Sequence, residues 1–288
     1  MNKKITAKVF LILLGLAVAC RAEQCAKSPD ASRQEKADAN SVGSTGSPQV
    51  GSTCSPQVET ILNQLKEKTN ELKSYECQIE YLFSQPLLES QTLRKGVLYY
   101  QRSGEKTIDG NRSRTMLRIN FQTLQQDQDK EQKNIEHYIF DGTWLTHIDY
   151  QLKQVKRYQQ AEPNEPVDAF DLVGRNFPII GFTNVDELKN EFEIKPVEQE
   201  QQDGLIHLHL KVKLNSTYKN DYTSIDFWVD RRLYLPAKIA AVSAEGDAYR
   251  ISFIRPEVNK KVDEKKFDFK IPDGFEVETV PRKQKTER

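Results

Sequence analysis

The sequence predicts a mainly β protein with some helix: an open antiparallel β half-barrel of about eleven strands, with an N-terminal helix and a short helical lid on the concave face. Three observations predict it. Short segments of alternating apolar and polar residues succeed one another from residue 75 to residue 254, the period-two pattern of a sheet with one wet face. Turn signals such as Asp141-Gly142, Asp203-Gly204 and Glu245-Gly246 separate them. One stretch near the N-terminus spaces its apolar residues by three, four and seven instead, as a helix does. Strands this numerous tend to curl rather than stay flat.

Residues 1–19 read as a secretory signal. Lys3, Lys4 and Lys8 give a positive start. The apolar run from Val9 to Val18 is well short of the ~20 residues that span a bilayer. Ala17-Val18-Ala19 is a small-x-small cleavage pattern, and Cys20 follows at once. Leu16 to Cys20 also resembles a degraded lipobox, with Ala17 where a larger aliphatic residue is usual. Lipid attachment at Cys20 and simple cleavage both stay open, and either exports the chain. Residues 20–57 form a low-complexity linker in which Ser47-Pro48-Gln49-Val50 recurs as Ser55-Pro56-Gln57-Val58. It has too little apolar surface to fold alone. Residues 58–280 make one domain, and residues 281–288 a charged tail.

Lysine and arginine number 42, as do aspartate and glutamate. No concentrated basic face appears in the sequence, so nucleic acid is not an expected partner. Cys20, Cys25, Cys54 and Cys77 show neither a disulfide framework nor zinc-site spacing. Cys77 is expected to be a buried small apolar residue and Cys25 and Cys54 to lie in linker, with their disulfide state open.

In chain order, Pro56 opens the helix, whose stripe is Val58, Ile61, Leu62, Leu65 and Leu72. The first strand alternates Tyr75, Cys77, Ile79, Tyr81 and Phe83 with polar residues. Residues 96–100 and 116–121 continue the sheet, and the polar stretch 122–133 reads as a long loop. Residues 137–140 and 143–148 pair about Asp141-Gly142, and 154–158 returns. Residues 162–190 break the pattern with Pro163, Pro166 and Pro178 and are strongly apolar. This segment is the expected lid, carrying Phe170, Leu172, Phe177, Ile179, Ile180 and Phe182, with short helices at 168–173 and 185–192. Strands resume at 192–197, 206–214, 224–229, 237–242 and 249–254.

Six fragments in order resemble the LolA family of periplasmic lipoprotein carriers, over about residues 58–278. They are Tyr75-x-Cys77-x-Ile79, Gly96-x-Leu98-x-Tyr100-x-Arg102, Phe140-Asp141-Gly142 with Trp144 and Gln154-Val155, Ile225 to Asp230, Leu235-Pro236-Ala237-Lys238, and Phe267 to Val277. Ser103 stands where the family usually has proline. The resemblance implies a carrier that binds acyl chains of lipoproteins or lipids in the periplasm and passes them toward the outer membrane. It implies an inner-membrane donor protein, an outer-membrane acceptor protein and no cofactor, and the carrier is expected to be a monomer. The fold also serves envelope-stress sensors, so a membrane-anchored lipid- or lipoprotein-sensing adaptor is the alternative.

A concave apolar face beneath a movable cover suits hydrocarbon. The expected lining is Ile79, Tyr81, Leu98, Tyr100, Ile119, Tyr138, Phe140, Trp144 and Phe227; a register slip of one residue reverses a strand's face. For each residue alone the plain alternative is ordinary core. The resemblance makes Arg102 the lid latch, with Asp168 or Asp171 or a backbone carbonyl of 162–190 as its partner; a strand-end surface residue is the plain alternative. His207-x-His209 has metal-ligand spacing but no third ligand nearby, so no metal is expected. The sequence contains no Gly-x-Ser-x-Gly, His-Glu-x-x-His, phosphate loop or dinucleotide fingerprint, and no enzyme is expected.

Overall fold

The computed structural model describes residues 55–106, 113–162, 167–169, 185–197 and 204–282. The expected signal, Cys20, Cys25, Cys54, the six lid residues and the last residues of the charged tail lie outside these. Among the described residues Cys77 is the one cysteine, buried and free.

Helix α1 spans Pro56–Asn70. The Ser55 side chain accepts a hydrogen bond from Val58 N at 3.4 Å, and Pro56 occupies the first turn, where a missing N–H costs nothing. Val58, Ile61, Leu62, Leu65 and Thr69 are its buried face. Leu72 lies past the helix end and joins a different part of the core.

Twelve strands form one sheet: β1 (Ser74–Gln85), β2 (Ser90–Lys106), β3 (Ser113–Gln126), β4 (Gln132–Phe140), β5 (Trp144–Asp149), β6 (Gln154–Gln159), β7 (Phe192–Pro196), β8 (Leu205–Val212), β9 (Tyr222–Asp230), β10 (Pro236–Ser243), β11 (Ala248–Val258) and β12 (Glu276–Val280). Their spatial order is β12-β6-β5-β4-β3-β2-β1-β11-β10-β9-β8-β7. The sheet is open, with β12 and β7 at its edges. All neighbours are antiparallel except β12, which lies parallel to β6. The short helix α2 (Val185–Glu191) precedes β7.

Two expectations are corrected here. Residues 122–133 are not a long loop. β3 and β4 run on through them, leaving only a turn at 127–131. Side-chain bonds such as Thr92 Oγ1 to Gln126 Oε1 (2.8 Å) bind these polar ends, so no apolar pattern is needed. β12 was not expected, since its residues are all exposed and carry no alternation.

The β2–β3 register shifts at Lys95/Gly96. A Cβ on Gly96 would sit 2.1 Å from Asn120 O, so only glycine fits. In the β4–β5 hairpin Gly142 takes φ 95, and Asp141 Oδ1 accepts from the N–H groups of Thr143 and Trp144. The loop is therefore Gly142-Thr143, closed by Asp141 N to Trp144 O, one residue later than an Asp-Gly centre.

Buried residues of the sheet divide between its two faces. On the inner face, α1 and α2 pack over β7–β10, where Leu62 and Leu65 meet the layer of Leu208, Ile225, Phe227 and Ile239. On the outer face, Phe269 and Phe275 cover Ile139, Ile148 and Val155. The C-terminal segment is held there by Arg118, whose Nη1 donates to Lys266 O and Asp268 O, both at 2.8 Å.

Candidate functional site

Strand pairing fixes which residues share the inner face. Tyr81 opposes Arg94, Ile79 opposes Gly96, and Cys77 opposes Leu98. Leu98 opposes Ile119, Tyr100 opposes Leu117, and these oppose Tyr138 and Phe140 in turn. Seven of the nine expected lining residues, Ile79, Tyr81, Leu98, Tyr100, Ile119, Tyr138 and Phe140, therefore form one continuous apolar surface across β1–β4. Phe121 and Leu145 complete it, and both are buried. Phe227 is on the same face but packs beneath α1.

Trp144 is placed otherwise. Phe140 pairs with Leu145, so Trp144 faces the opposite side, where Arg157 lies 4.9 Å over its ring. The physical reason is parity. A two-residue loop pairs residues whose numbers differ in parity, so Phe140 and Trp144 cannot share a face.

Among the described residues, α1 and α2 cover the β7–β10 half. The β1–β5 half is met instead by Leu72, Ala161, Val167, Ala169 and Leu235 from the end of the sheet where α1 joins β1, the lower end. The 167–169 segment is fastened there. Val167 N donates to Gly142 O at 2.9 Å, and Ala169 N donates to the buried Thr115 hydroxyl at 2.6 Å. Arg102 Nη2 lies 3.7 Å from Asp168 Oδ2, while its Nη1 donates to Asn70 O at the end of α1. One guanidinium thus joins β2, α1 and the segment leading into 170–184, and Asp168 is one of the partners the sequence suggested.

A second polar group within the apolar face was not legible in the sequence. Arg94 Nε is 3.4 Å from Glu136 Oε1, and His147 Nε2 is 3.5 Å from Glu136 Oε2. Tyr138 donates its hydroxyl proton to Glu136 at 3.0 Å, and its ring stacks on His147 at 4.4 Å. Burial raises the Glu136 carboxyl, but the neighbouring His147, Arg94 and Tyr138 outweigh it and hold the group below the usual range. The one available signal was parity: Arg94 and Glu136 fall at inward positions of strands whose neighbours there are apolar. Burial pushes the Cys77 thiol up to about 12, so it is protonated and unreactive at neutral pH.

His207 and His209 both lie within 2.9 Å of Asp226 on the outer face, and no metal-binding group of three or more ligands occurs among the described residues. No helix among them is long and apolar enough to cross a membrane.

The chain is LolA-like: the model of the family described as outer membrane lipoprotein carrier protein LolA matches residues 128–270. The fragments from Phe140 to Lys270 fall inside that match, and those of β1 and β2 lie outside it. No curated protein matches. Similar solved structures include an uncharacterized conserved protein from Thermus thermophilus, at 8% identity, covering 78% of this chain and 99% of that one, with a TM-score of 0.44. The Pseudomonas aeruginosa MucA/MucB complex matches at 14% identity, 74% and 61% coverage and a TM-score of 0.42. This chain therefore spans less than two thirds of that structure's matched chain. Mycobacterium tuberculosis lipoprotein LppX matches at 9% identity, 73% and 99% coverage and a TM-score of 0.41.

Proposed function

We propose that this protein is an exported carrier that holds acyl chains of lipoproteins or phospholipids against the inner face of β1–β5 and hands them on toward the outer membrane. The observation that carries the reading is that face itself. It is a broad aromatic and aliphatic surface, with no described helix lying over it and with an ion-paired fastening at its lower end. Burying a methylene is worth about 0.8 kcal/mol, so a fifteen-carbon chain is worth roughly 12 kcal/mol. A carrier need only match that burial for transfer to and from a membrane to be nearly balanced.

Arg102 acts as the latch. Its bonds to Asp168 and Asn70 O stabilise the closed, empty form, so cargo binding must replace them. This sets affinity low enough for release. The protein works in the periplasm as a monomer between a donor protein at the inner membrane and an acceptor at the outer membrane, without a cofactor and without catalysis.

The test is purification from the native envelope followed by lipid mass spectrometry and proteomics. An acyl-bearing lipid or lipoprotein is expected to co-purify. Finding neither, together with no uptake of a fluorescent fatty acid, contradicts the carrier reading.

A further inference from the structure

An open cleft of about 990 Å³ lies at the lower end of the sheet. It is walled by the start of β1, the Gln101-Arg102 part of β2 and residues 259–265 after β11. Lys73, Arg102, Lys260, Lys261 and Lys265 line it, against two acidic residues. The whole chain balances 42 basic with 42 acidic residues, so this surplus is local.

Part of this positive charge is unpaired. Lys260 pairs with Glu257 at 3.1 Å and Arg102 with Asp168. Lys73, Lys261 and Lys265 are exposed and have no acidic partner among the described residues. The carboxylate of Asp263 is engaged by the Lys265 backbone N–H at 3.1 Å. The lysines are also presented from a fixed frame. Asn259 Oδ1 accepts from the N–H groups of Lys73 and Ser74, and the Ser74 hydroxyl donates to Lys260 O at 2.5 Å.

The cleft reaches the apolar face at Arg102, which lies on the same side of β2 as Tyr100, and at Lys73, which follows Leu72. Leu72 and Tyr100 belong to the core under β1–β5, and Lys73 and Arg102 are one and two residues further on. A single ligand spanning both needs a hydrocarbon part and an anionic part. We infer that the cleft binds the phosphate of a phospholipid headgroup whose acyl chain lies on the inner face. This rests on the acyl-binding reading. Several ammonium groups around one open volume suit a compact, multiply charged oxyanion that each reaches as a point charge.

The test compares the affinities of the mature protein for monooleoylglycerol and for its 3-phosphate, which differ only in the headgroup. The phosphate lipid should bind on the order of tenfold more tightly, an advantage that salt reduces. The variant carrying Lys73→Gln, Lys261→Gln and Lys265→Gln should lose the advantage and keep its affinity for monooleoylglycerol. Millimolar inorganic phosphate should erode the same advantage in the wild type. Equal binding of the two lipids overturns the phosphate site and leaves the acyl reading standing. A triple variant that keeps the advantage overturns the assignment to this cleft, as does an acidic peptide occupying it with no lipid preference measured. Failure to bind either lipid removes the acyl reading and this inference with it.

Discussion

Single side chains carry opposite demands in this molecule. Glu136 is surrounded by Arg94, His147 and Tyr138 within an apolar face, so its charge is needed by its neighbours. Glu136→Gln leaves the Arg94 guanidinium buried without its counter-ion, and a loss of about 3–5 kcal/mol is expected in urea unfolding at pH 7. His137 is different. Burial, then the charge of Arg118, lowers its imidazole from 6.5 to about 4. The unfolded chain takes up that proton first as pH falls. Stability from this site is therefore full above pH 6.5 and is lost between 6.5 and about 4. Replacing His137 with Gln should flatten that part of the stability–pH curve, and an NMR titration of the imidazole in the folded protein should give a midpoint near the lower limit. Among the site residues, the Arg102–Asp168 pair is one the resemblance suggested, while Trp144 falls on the opposite face because a two-residue hairpin sets it against Phe140 in parity. The Arg94–Glu136–His147 group was not legible, since residues far apart in the chain meet only once the strand register is known.

At the level of elements, alternation identified the strands but not their lengths. Residues 75–83 show their period plainly because one face is buried. Residues 122–126 and 132–133 do not, because they lie at the sheet's upper end, where Gln126 bonds to Thr92 and Thr123 to Glu131, and Gln132 and Lys133 are exposed. β12 was silent because an exposed edge strand needs only its backbone to pair. It caps β6, which would otherwise present an open edge. Truncation after Pro272 removes β12 and Phe275, and the expected result is self-association in sedimentation experiments; a monomer would show that β6 needs no such cover. Gly96 is the element-scale constraint with the sharpest geometry. Gly96→Ala drives a methyl group into Asn120 O and should cost about 3 kcal/mol, the upper end of the range for overpacking.

For the molecule as a whole, the open sheet and its N-terminal helix followed from pattern, and the likeness to the LolA family from resemblance. The division of the inner face into a helix-covered half and a half bounded by Arg102 did not, because it depends on where α1 comes to rest. That division is what the proposed transfer cycle uses. Arg102→Leu removes the pair with Asp168 and the bond to Asn70 O, weakening the closed empty form by an amount in the ~0.2–1 kcal/mol range of partly exposed pairs. Stopped-flow release of a fluorescent fatty acid should then slow by up to about fivefold; unchanged kinetics would remove the latch. The claim beneath all of this is that hydrocarbon lies against one particular side of the sheet. Photocrosslinking with a diazirine-bearing fatty acid, mapped by peptide mass spectrometry, reads that side out. Adducts are expected on Leu98, Ile119, Phe121, Phe140 and Leu145, while adducts confined to Trp144, Arg157 and their outer-face neighbours would contradict the account.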